Sequence, residues 1–456
     1  MLREMELLLA SGRRVHLIGV GGVSMSALAD VLHGRGLEVT GSDRQESPVL
    51  EMLREKGITV YAGEDARHIE GAGAVIRTAA AHEDNPEVEA ARKAGIPVLE
   101  RADAWGVLTK EYAQSLCIAG THGKTTTTGM AAHIAMAAGT DPTVMVGGAL
   151  PLLGGTYRVG NGDLIVLESC EYCNSYHRFF PTTAVVLNIE EDHLDFFSDL
   201  EEIIASFRKF ASLVPSGGHI VGNADDENVR TALAGMDKIT WFGLGSNADV
   251  TAANVIQEHG RHSFDLVAGG RSLCRVELRV PGRHNMLNAL AAAAAALAQG
   301  MPVRAVREGL GAFNGAGRRM EFAGTANGAD IYDDYAHHPT EIRAALSAAR
   351  AMGYSRVICL FQPHTYSRTK LLYADFVREL RAADLLFLSD IYAARERDPG
   401  DISAAMLARD IPDAVYCPGF ENMARAARAA LRPGDIVITM GAGDICKVGS
   451  LIVKKN

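Results

Sequence analysis

The chain has 456 residues, of which 48% are hydrophobic and 22% are charged, and its net charge at pH 7 is -10. At roughly 150 residues per domain, this length and composition predict a packed protein of about three domains. The negative charge, with no long run of Lys or Arg, argues against nucleic acid as the main partner, because phosphate-backbone binding needs a basic surface.

Nothing in the sequence points to a membrane or to export. The apolar runs fall short of the ~20 residues that span a bilayer. The start, "MLREMELLLASGRR", has a short apolar run and lacks a small-residue cleavage site, so we expect no signal peptide. Seven scattered cysteines predict reduced thiols, and the single C-x-x-C of Cys170 and Cys173 lacks the second pair that would favour zinc. We expect a cytoplasmic protein.

Apolar strand-like runs alternate with helix-like segments, which predicts parallel sheets joined by crossover helices. The first block opens with "RVHLIGV" (14–20), followed by a glycine-rich turn and a helical segment, and it ends near residue 107. The second block opens with "SLCIAG" (115–120), continues through four further strand-like runs and an antiparallel pattern at 249–280, and ends with an alanine-rich helix. The third begins after the glycines of "NGAGRR" (314–319).

These blocks predict an α/β protein of three domains. Residues 1–107 would form a Rossmann-like domain, residues 108–316 a central α/β domain of the P-loop ATPase type, and residues 317–456 a second Rossmann-like α/β domain.

The segment "CIAGTHGKTTTT" (117–128) places glycines, a lysine and threonines between a predicted strand and a predicted helix. Its spacing departs from G-x-x-x-x-G-K-[ST], because the first glycine comes late, at Gly120. Backbone N–H groups at a helix start and glycines that admit a phosphate are the parts that a phosphate loop needs. We interpret 120–126 as such a loop, comprising Gly120, Thr121, His122, Gly123, Lys124, Thr125 and Thr126, although a strand-to-helix turn rich in helix caps is the plainer alternative. Lys124 would neutralise phosphate oxygens, and the Thr125 hydroxyl would hold Mg²⁺.

A second glycine loop, "GVGGVSMS" (19–26), follows the first predicted strand. Asp43 lies about 22 positions after Gly21, as in dinucleotide-binding folds, but the third glycine of that fingerprint is lacking. Three interpretations stay open: a dinucleotide site, a site for another diphosphate such as a nucleotide-sugar, and a structural turn. The candidate binding residues of this loop are Gly19, Gly21, Gly22, Ser24 and Ser26.

Both loops in this order, with the shortened "GTHGKTTT", resemble the Mur ligases, which are ATP-dependent enzymes that form amide bonds in peptidoglycan precursors. Five further segments are similar to the branch of that family that adds L-alanine: "NIEEDHLDFF" (188–197), "GRHNMLNALAA" (282–292), "GAGRRMEF" (315–322), "YDDYAHHPTEI" (332–342) and "FQPHTYSRTK" (361–370). The resemblance covers nearly the whole chain.

The resemblance implies a UDP-sugar-binding first domain, an ATP-binding central domain and a third domain that binds the amino acid. It implies that ATP and Mg²⁺ drive the joining of L-alanine to the lactyl carboxylate of UDP-N-acetylmuramate through an acyl phosphate, with ADP and phosphate as products. Small molecules would then be the partners, without nucleic acid or membrane, and the protein would be a monomer or a homodimer.

The resemblance also implies roles for individual residues. Lys124, Glu168 and His193 would be catalytic, with Thr125, Glu168 and His193 as metal ligands; Glu168 and His193 follow predicted strand ends, where ligand crevices lie. From the residues alone, Glu168 also fits a solvated carboxylate and His193 a capping or core histidine. Further ATP contacts would come from Asn285, Asn288, Arg319 and Asp334, which otherwise fit helix caps and a solvated corner.

The remaining implied contacts concern the sugar and the amino acid. Ser42, Asp43, Thr78 and Ala79 would join the first glycine loop around the UDP-sugar. His337, His364, Tyr366 and Arg368 would form the amino-acid pocket, in which Arg368 suits a carboxylate; packed strand-end histidines are the plainer alternative.

The sequence departs from the family pattern at three positions. Phe207 stands where several relatives carry a carbamylated lysine, so the ligands of a second metal stay open. Thr365 stands where some relatives have arginine, and Glu64 where a histidine is frequent.

Three rival functions stay open at this point. A ligase that attaches a preformed tripeptide to the same nucleotide-sugar belongs to the same class. A nicotinamide- or flavin-dependent oxidoreductase would use the first glycine loop but leave Lys124 and the third domain unexplained. A non-catalytic ATP-binding switch would bind nucleotide without depending on a sugar or an amino acid.

Overall fold

A computed structural model of the chain describes residues 13–194, 196–394 and 396–454. Most of the N-terminal segment that we examined for a signal peptide lies outside these residues. Within the described ranges, no helix combines the length and apolar character needed to cross a bilayer.

The first sheet has five parallel strands in the order β3-β2-β1-β4-β5. Its central strand consists of fully buried residues, as expected of a strand covered on both faces by helices. The strands are β1 (Val15–Ile18), β2 (Val39–Asp43), β3 (Thr59–Ala62), β4 (Ala74–Arg77) and β5 (Val98–Glu100). The helices are α1 (Val23–Gly34), α2 (Pro48–Glu55), α3 (Pro86–Lys93) and α4 (Arg101–Lys110), with a 3₁₀ turn at Ala66–Ile69.

Helix α4 connects the first sheet to the central one. The Trp105 indole N–H donates to Ser24 Oγ at 3.0 Å, next to the first glycine loop. On the other side, a Cβ at Gly106 would lie 2.1 Å from the carbonyl oxygen of Arg178, so only glycine permits this approach. The predicted limit at residue 107 therefore falls inside a helix that contacts both regions.

The central sheet has ten strands in the order β15-β14-β13-β12-β11-β10-β6-β9-β7-β8. Strands β7, β9, β6, β10, β11 and β12 run parallel, whereas β13–β15 form an antiparallel extension. The strands are β6 (Gln114–Ala119), β7 (Thr143–Leu150), β8 (Gly155–Arg158), β9 (Leu164–Glu168), β10 (Thr183–Val186), β11 (His219–Asn223), β12 (Ile239–Phe242), β13 (Val250–Glu258), β14 (Arg261–Ala268) and β15 (Arg271–Pro281).

Five helices accompany this sheet: α5 (Lys124–Ala137), α6 (Leu200–Ala211), α7 (Glu227–Leu233), α8 (Arg283–Ala298) and α9 (Val303–Ala312), with 3₁₀ turns at Pro151–Leu153 and Tyr172–Arg178. The alanine run of α8 is buried in the central core, packed directly against α5. Small alanine side chains permit this close packing while favouring the helix.

The third sheet has six strands in the order β16-β17-β21-β18-β19-β20, parallel except for β16. The strands are β16 (Glu321–Ala326), β17 (Ala329–Asp334), β18 (Arg356–Phe361), β19 (Leu385–Leu388), β20 (Ala414–Tyr416) and β21 (Asp435–Met440). The helices are α10 (Pro339–Ala351), α11 (Tyr366–Leu371), α12 (Tyr373–Leu380), α13 (Ala404–Asp410), α14 (Phe420–Ala430) and α15 (Cys446–Val453).

The α/β architecture in three parts, with parallel outer sheets and a mixed central sheet, confirms the predicted fold class. The sequence analysis had not singled out β3, the β7–β8 hairpin, β16 or β20. These strands are short, lie towards sheet edges or contain exposed residues, so their apolar signal is weak. The predicted limit at 316/317 falls between α9 and β16, and the domain limits stay predictions.

Candidate active site

The segment 120–123 joins β6 to α5 at the carboxyl edge of the central sheet. Gly123 adopts a left-handed conformation with φ of 82°, and a Cβ there would lie 2.5 Å from Asn288 Oδ1. Only glycine satisfies both conditions. The loop therefore turns tightly into the helix and presents the helix N-terminus, which is the geometry that favours a bound phosphate.

Asn188, which follows β10, fixes the shape of this loop. Its Oδ1 accepts from the backbone N–H of His122 at 2.7 Å, and its Nδ2 donates to the His122 carbonyl at 3.0 Å. The backbone N–H of Thr121 donates to the Asn188 carbonyl at 3.0 Å. These three bonds hold the backbone of residues 121–122 against the end of β10.

Lys124, the first residue of α5, forms an ion pair with Glu171. Its Nζ lies 2.9 Å from Glu171 Oε2 and 3.1 Å from Oε1, and it also donates to the Thr121 carbonyl at 3.2 Å. Burial alone would lower the pKa of Lys124, but the Glu171 carboxylate outweighs burial and raises it above the ordinary lysine value. Lys124 is therefore a permanent cation at the loop.

Thr125 and Glu168 meet beside the loop. Thr125 Oγ1 donates to Glu168 Oε1 at 2.9 Å, and the backbone N–H of Gly147 donates to Oε2. A Cβ at Gly147 would lie 2.8 Å from Glu168 Oε1, so glycine leaves room for this carboxylate. A hydroxyl and a carboxylate next to a phosphate loop are the oxygen donors that Mg²⁺ prefers, and these residues fit that ion.

His193 lines the same cavity as Lys124, Thr125 and Glu168, and it has a left-handed conformation with φ of 55° that is uncommon outside glycine. Its Nε2 lies 3.8 Å from Glu171 Oε1, so Glu171 stands between His193 and Lys124. Phe207 is fully buried and packs edge-on against Tyr176 at 5.5 Å. Phe207 therefore belongs to the core and offers no metal ligand.

Two cavities meet at the loop. The larger, of about 550 Å³, is lined by Lys124, Thr125, Glu168, His193 and residues from the loops and helices around the third sheet. The smaller, of about 220 Å³, is lined by Thr126, Asn285, Asn288 and Asp334 among others. Four residues line both cavities: His122, Gly123, Arg319 and Glu341.

Asn285 and Asn288 occupy the first turns of α8 and contact each other. Asn288 Nδ2 donates to Asn285 Oδ1 at 3.1 Å, and Asn285 Nδ2 donates to the Pro281 carbonyl at 2.6 Å. This chain of bonds orients the side-chain amide oxygen of Asn288, Oδ1, towards Gly123. The predicted helix-start pair is thus part of the wall behind the loop.

Arg318 and Arg319 have different environments. Arg318 Nε donates to Asp333 Oδ2 at 2.9 Å, and its Nη atoms donate to the carbonyls of Gly441 and Gly443. Arg319 instead faces the cavities, with Nη1 3.8 Å from Glu341 Oε1 and its guanidinium 5.2 Å from the Tyr335 ring centroid. Arg319 is therefore the cation of this pair that can reach a ligand.

Asp334 is buried at the end of β17. Its carboxylate accepts the backbone N–H groups of Met320 and Ala336, each at 2.8 Å. Burial raises the pKa of Asp334 to about 6. Its oxygens hold the segment that carries Arg319, besides lining the smaller cavity.

The third domain places His337, His364 and Arg368 on the larger cavity, whereas Tyr366 is not among its lining residues. Arg368 donates to Asp192 Oδ1 from Nη2 at 2.7 Å and from Nε at 3.2 Å. Thr365 has φ of 65°, a strained conformation for a β-branched residue, in the wall of this cavity.

The first glycine loop has contacts of its own. Gly21 N–H donates to Asp43 Oδ2 at 2.9 Å, and a Cβ at Gly19 would lie 2.6 Å from Thr78 Cγ2. These four residues lie together beside Gly22, which precedes the first residue of α1; their role in binding a UDP-sugar stays a prediction.

The three serines proposed for this region point into the protein. Ser24 Oγ accepts from Trp105, Ser26 Oγ donates to the Val23 carbonyl at 3.1 Å, and Ser42 Oγ donates to buried Glu87 at 2.6 Å. Ala79 lies apart from them, lining a more open cavity of about 610 Å³ together with Arg77 and His82.

Sequence reasoning missed five residues of this site: Glu171, Asn188, Glu190, Asp192 and Glu341. Asn188, Glu190 and Asp192 follow β10 within the quoted "NIEED", so their position at a strand end was a usable signal. Glu341 is the third residue of α10, where it caps the helix, and Glu171 lies between Cys170 and Cys173 without a local signature of its own.

Three family models match the chain: the Mur ligase family, catalytic domain, over residues 14–113, the Mur ligase middle domain over 118–296, and the Mur ligase, glutamate ligase domain over 318–443. The chain belongs to the Mur ligase family. It is 44% identical to the UDP-N-acetylmuramate–L-alanine ligase of Clostridium novyi (strain NT), over 97% of this chain and 98% of that one.

Two further comparisons agree with this membership. The UDP-N-acetylmuramate–L-alanine ligase of Acetivibrio thermocellus is also 44% identical, over 97% of this chain and 96% of that one. The crystal structure of UDP-N-acetylmuramate-alanine ligase MurC from Thermotoga maritima superposes with a TM-score of 0.81 at 27% identity, covering 97% of this chain and 98% of that one. The predicted family resemblance is confirmed.

Proposed function

We propose that this Mur ligase joins L-alanine to the lactyl carboxylate of UDP-N-acetylmuramate at the expense of ATP, giving ADP and phosphate. The observation that carries the proposal is the meeting of two cavities at the phosphate loop, where His122, Gly123, Arg319 and Glu341 line both. A triphosphate that crosses this junction presents its terminal group to the larger cavity. The named relatives act on the same pair of substrates.

The nucleoside of ATP occupies the smaller cavity. Its floor is the start of α8, where Asn285 and Asn288 offer amide groups, and Asp334 closes it from the third domain. The phosphates then run over 120–126, where the helix N-terminus supplies partial positive charge. Arg319 adds a cation from the third domain at the point where the two cavities meet.

Phosphoryl transfer depends mainly on positioning and charge neutralisation. Lys124 neutralises the terminal phosphate. To do so, its ammonium group leaves the Glu171 carboxylate and pairs with phosphate oxygens. Thr125, Glu168 and His193 would hold Mg²⁺, which would neutralise part of the phosphate charge when bound. The sugar carboxylate attacks the terminal phosphorus, the bond to the bridging oxygen breaks, and ADP leaves.

Amide formation follows in the larger cavity. Arg368 binds the alanine carboxylate, either by giving up its bonds to Asp192 or while keeping them. Burial lowers the pKa of His337 to about 4, so its imidazole is neutral at pH 7, and its Nδ1 lies 3.0 Å from the Tyr335 carbonyl. Nε2 is then left without a proton and can accept a hydrogen bond from the alanine amino group, which orients it towards the acyl phosphate. The free amine attacks the acyl carbon, the bond from that carbon to the phosphate oxygen breaks, and the proton that the amine loses leaves with the phosphate.

The first domain holds the UDP-sugar at the glycine loop 19–22, with Thr78 and Ala79 nearby. Because Ser26 and Ser42 donate their hydroxyls to protein oxygens, the donors for the diphosphate are backbone N–H groups at the start of α1, joined by the Ser24 hydroxyl, whose oxygen accepts from Trp105. The substrate carboxylate must reach the phosphate loop from this domain. Contacts between the third domain and the central domain keep water from the acyl phosphate.

The test is phosphate release by the full-length protein with UDP-N-acetylmuramate, ATP, Mg²⁺ and L-alanine, omitting one component at a time. Release should require all four. Replacing L-alanine by a preformed tripeptide separates the recycling ligase from the proposed one. Lys124→Ala should abolish release, whereas Lys209→Ala, a change to an exposed lysine on α6, should leave it unchanged. Release that ignores the sugar or the amino acid would refute the proposal.

A further inference from the structure

Three metal-binding side chains converge beside the nucleotide cavity, apart from the proposed Mg²⁺ ligands. His122, Glu190 and His338 each offer one ligand atom, and these atoms lie within 4.8 Å of one another. They come from three separate segments: the phosphate loop, the segment after β10, and the residue that caps α10. The cluster therefore joins the central sheet region to the third domain.

The orientation of His122 leaves one ring nitrogen directed into the cluster. Its Nδ1 lies 3.2 Å from Glu341 Oε1, which fixes a proton on that nitrogen. Nε2 lies 3.4 Å from Glu190 Oε2, and it is buried without a hydrogen-bond partner among the described residues. A carboxylate that orients a histidine through its far nitrogen is the arrangement found behind metal-bound histidines.

His338 has the mirror-image arrangement. Its Nε2 lies 3.2 Å from the Glu191 carbonyl oxygen, which can only accept, so the proton resides on Nε2. Nδ1 therefore carries a lone pair, which accepts the capping hydrogen bond from the Thr340 N–H at 3.3 Å and lies 3.8 Å from Glu190 Oε2; a bound ion would take this lone pair in place of the Thr340 N–H. The ring centroids of His122 and His338 are 4.7 Å apart.

Glu190 completes the set as a carboxylate that is itself held in place. Its Oε2 accepts from Thr340 Oγ1 at 2.6 Å. Supporting hydrogen bonds of this kind keep a ligand oriented before an ion arrives. Each histidine thus has a partner on its far side and a ring nitrogen facing the cluster, whereas Glu190 uses the same oxygen, Oε2, for the bond from Thr340 and for facing both imidazoles.

We propose that His122, Glu190 and His338 form a binding site for a divalent transition-metal ion of the Zn²⁺ class. Two imidazoles and one carboxylate match the donors that such ions take with three protein ligands and an open position. Mg²⁺ prefers oxygen donors and is a poor match. A bound ion ties the phosphate loop to the third domain and so restrains the opening of the nucleotide cavity.

A proton competes with the ion for His122. Burial lowers the pKa of His122, but the carboxylates of Glu190 and Glu341 outweigh burial and raise it to about 9. His338 and, beyond Glu341, Arg319 are the other titratable groups that face this cluster. Binding of the ion at neutral pH therefore releases a proton, as metal binding to protonated ligands does.

The test uses Co²⁺ as a spectroscopic probe for the full-length protein in excess Mg²⁺. We expect one Co²⁺ per chain with the visible absorption of inner-sphere nitrogen and oxygen ligands, displaced by one equivalent of Zn²⁺. His338→Gln and Glu190→Gln should each lower Zn²⁺ affinity by at least tenfold and change the Co²⁺ spectrum. The control His219→Gln changes a histidine on β11 and should alter neither.

Circular dichroism of both variants shows whether they fold, and one folded variant is enough for the test. The proposal is overturned if the native chain binds no stoichiometric Co²⁺ in excess Mg²⁺. It is overturned equally if a folded His338→Gln or Glu190→Gln variant keeps the native spectrum and affinity.

Discussion

Lys124 and Glu171 form a buried ion pair between the phosphate loop and the segment after β9. Nζ lies 2.9 Å from Oε2, and the two side chains are only 14% and 3% exposed. If Lys124 binds the terminal phosphate of ATP as proposed, that phosphate competes with Glu171 for the same ammonium group. Glu171 would then set how readily Lys124 reaches the nucleotide.

This competition predicts a nucleotide-dependent stability defect for Glu171→Gln. Removing one partner of a buried pair costs roughly 3 kcal/mol, because the other charge stays buried without compensation. Saturating ATP and Mg²⁺ should restore part of that loss, since phosphate oxygens replace the carboxylate. Thermal unfolding with and without nucleotide measures both effects. An equal loss under both conditions would show that Glu171 has only a structural role.

Glu168→Gln should weaken the binding of the metal rather than the binding of the nucleoside. The substitution keeps the hydrogen bond to Thr125 but removes a negative oxygen ligand, so we expect the Mg²⁺ concentration for half-maximal phosphate release to rise about tenfold. Chelation of Mg²⁺ should abolish release by the native chain. Glu201→Gln, at the exposed start of α6, is the matched control. An unchanged Mg²⁺ dependence would remove Glu168 from the metal site.

Arg368→Ala should raise the alanine requirement far more than the ATP requirement. Charge-assisted bonds to a carboxylate contribute roughly 2 kcal/mol, which corresponds to a rise in KM for alanine of about thirtyfold. Steady-state kinetics with each substrate varied in turn measures the two requirements. Arg381→Ala, a change to an exposed arginine after α12, should affect neither. Equal increases in both would mean that Arg368 acts only through its contact with Asp192.

His133 gives the helix of the phosphate loop an acid-sensitive stability. It lies on α5, edge-on to Phe313 at 5.4 Å, and burial lowers its pKa to about 4. Because the folded-state pKa is below the unfolded value of about 6.5, the stabilisation is complete above pH ~6.5 and is lost as pH falls through 4.

His133→Leu should therefore flatten the fall in unfolding free energy between pH 6.5 and 4 by about 2 kcal/mol, a value reduced because the ring is only partly buried. Urea denaturation at each pH measures this, with His219→Leu as control. A slope identical to that of the native chain would contradict the assignment.

The sequence allowed the phosphate loop to be predicted because its parts are contiguous. Gly120, Gly123, Lys124 and Thr125 lie within six residues, between a strand and a helix that have strong local patterns. The α/β fold followed from the same alternation of apolar runs. Short edge strands such as β20 lack that contrast, and they form because a neighbouring strand offers hydrogen-bonding partners.

The residues that support the loop could not be predicted in this way. Glu171 reaches Lys124 from 47 positions away, and Glu341 reaches His122 from the third domain. Ser42 was expected at the UDP-sugar, but the start of α3 places Glu87 within 2.6 Å of its hydroxyl. Such pairings depend on how distant segments pack, which local patterns do not specify.

The passage of the sugar carboxylate through an acyl phosphate is tested most directly with ¹⁸O in the lactyl carboxylate of UDP-N-acetylmuramate. The full-length protein is given this substrate with ATP, Mg²⁺ and L-alanine, and the released phosphate is examined by mass spectrometry. If the carboxylate attacks the terminal phosphorus at the 120–126 loop, each phosphate carries one ¹⁸O. Phosphate released without the label would contradict the account.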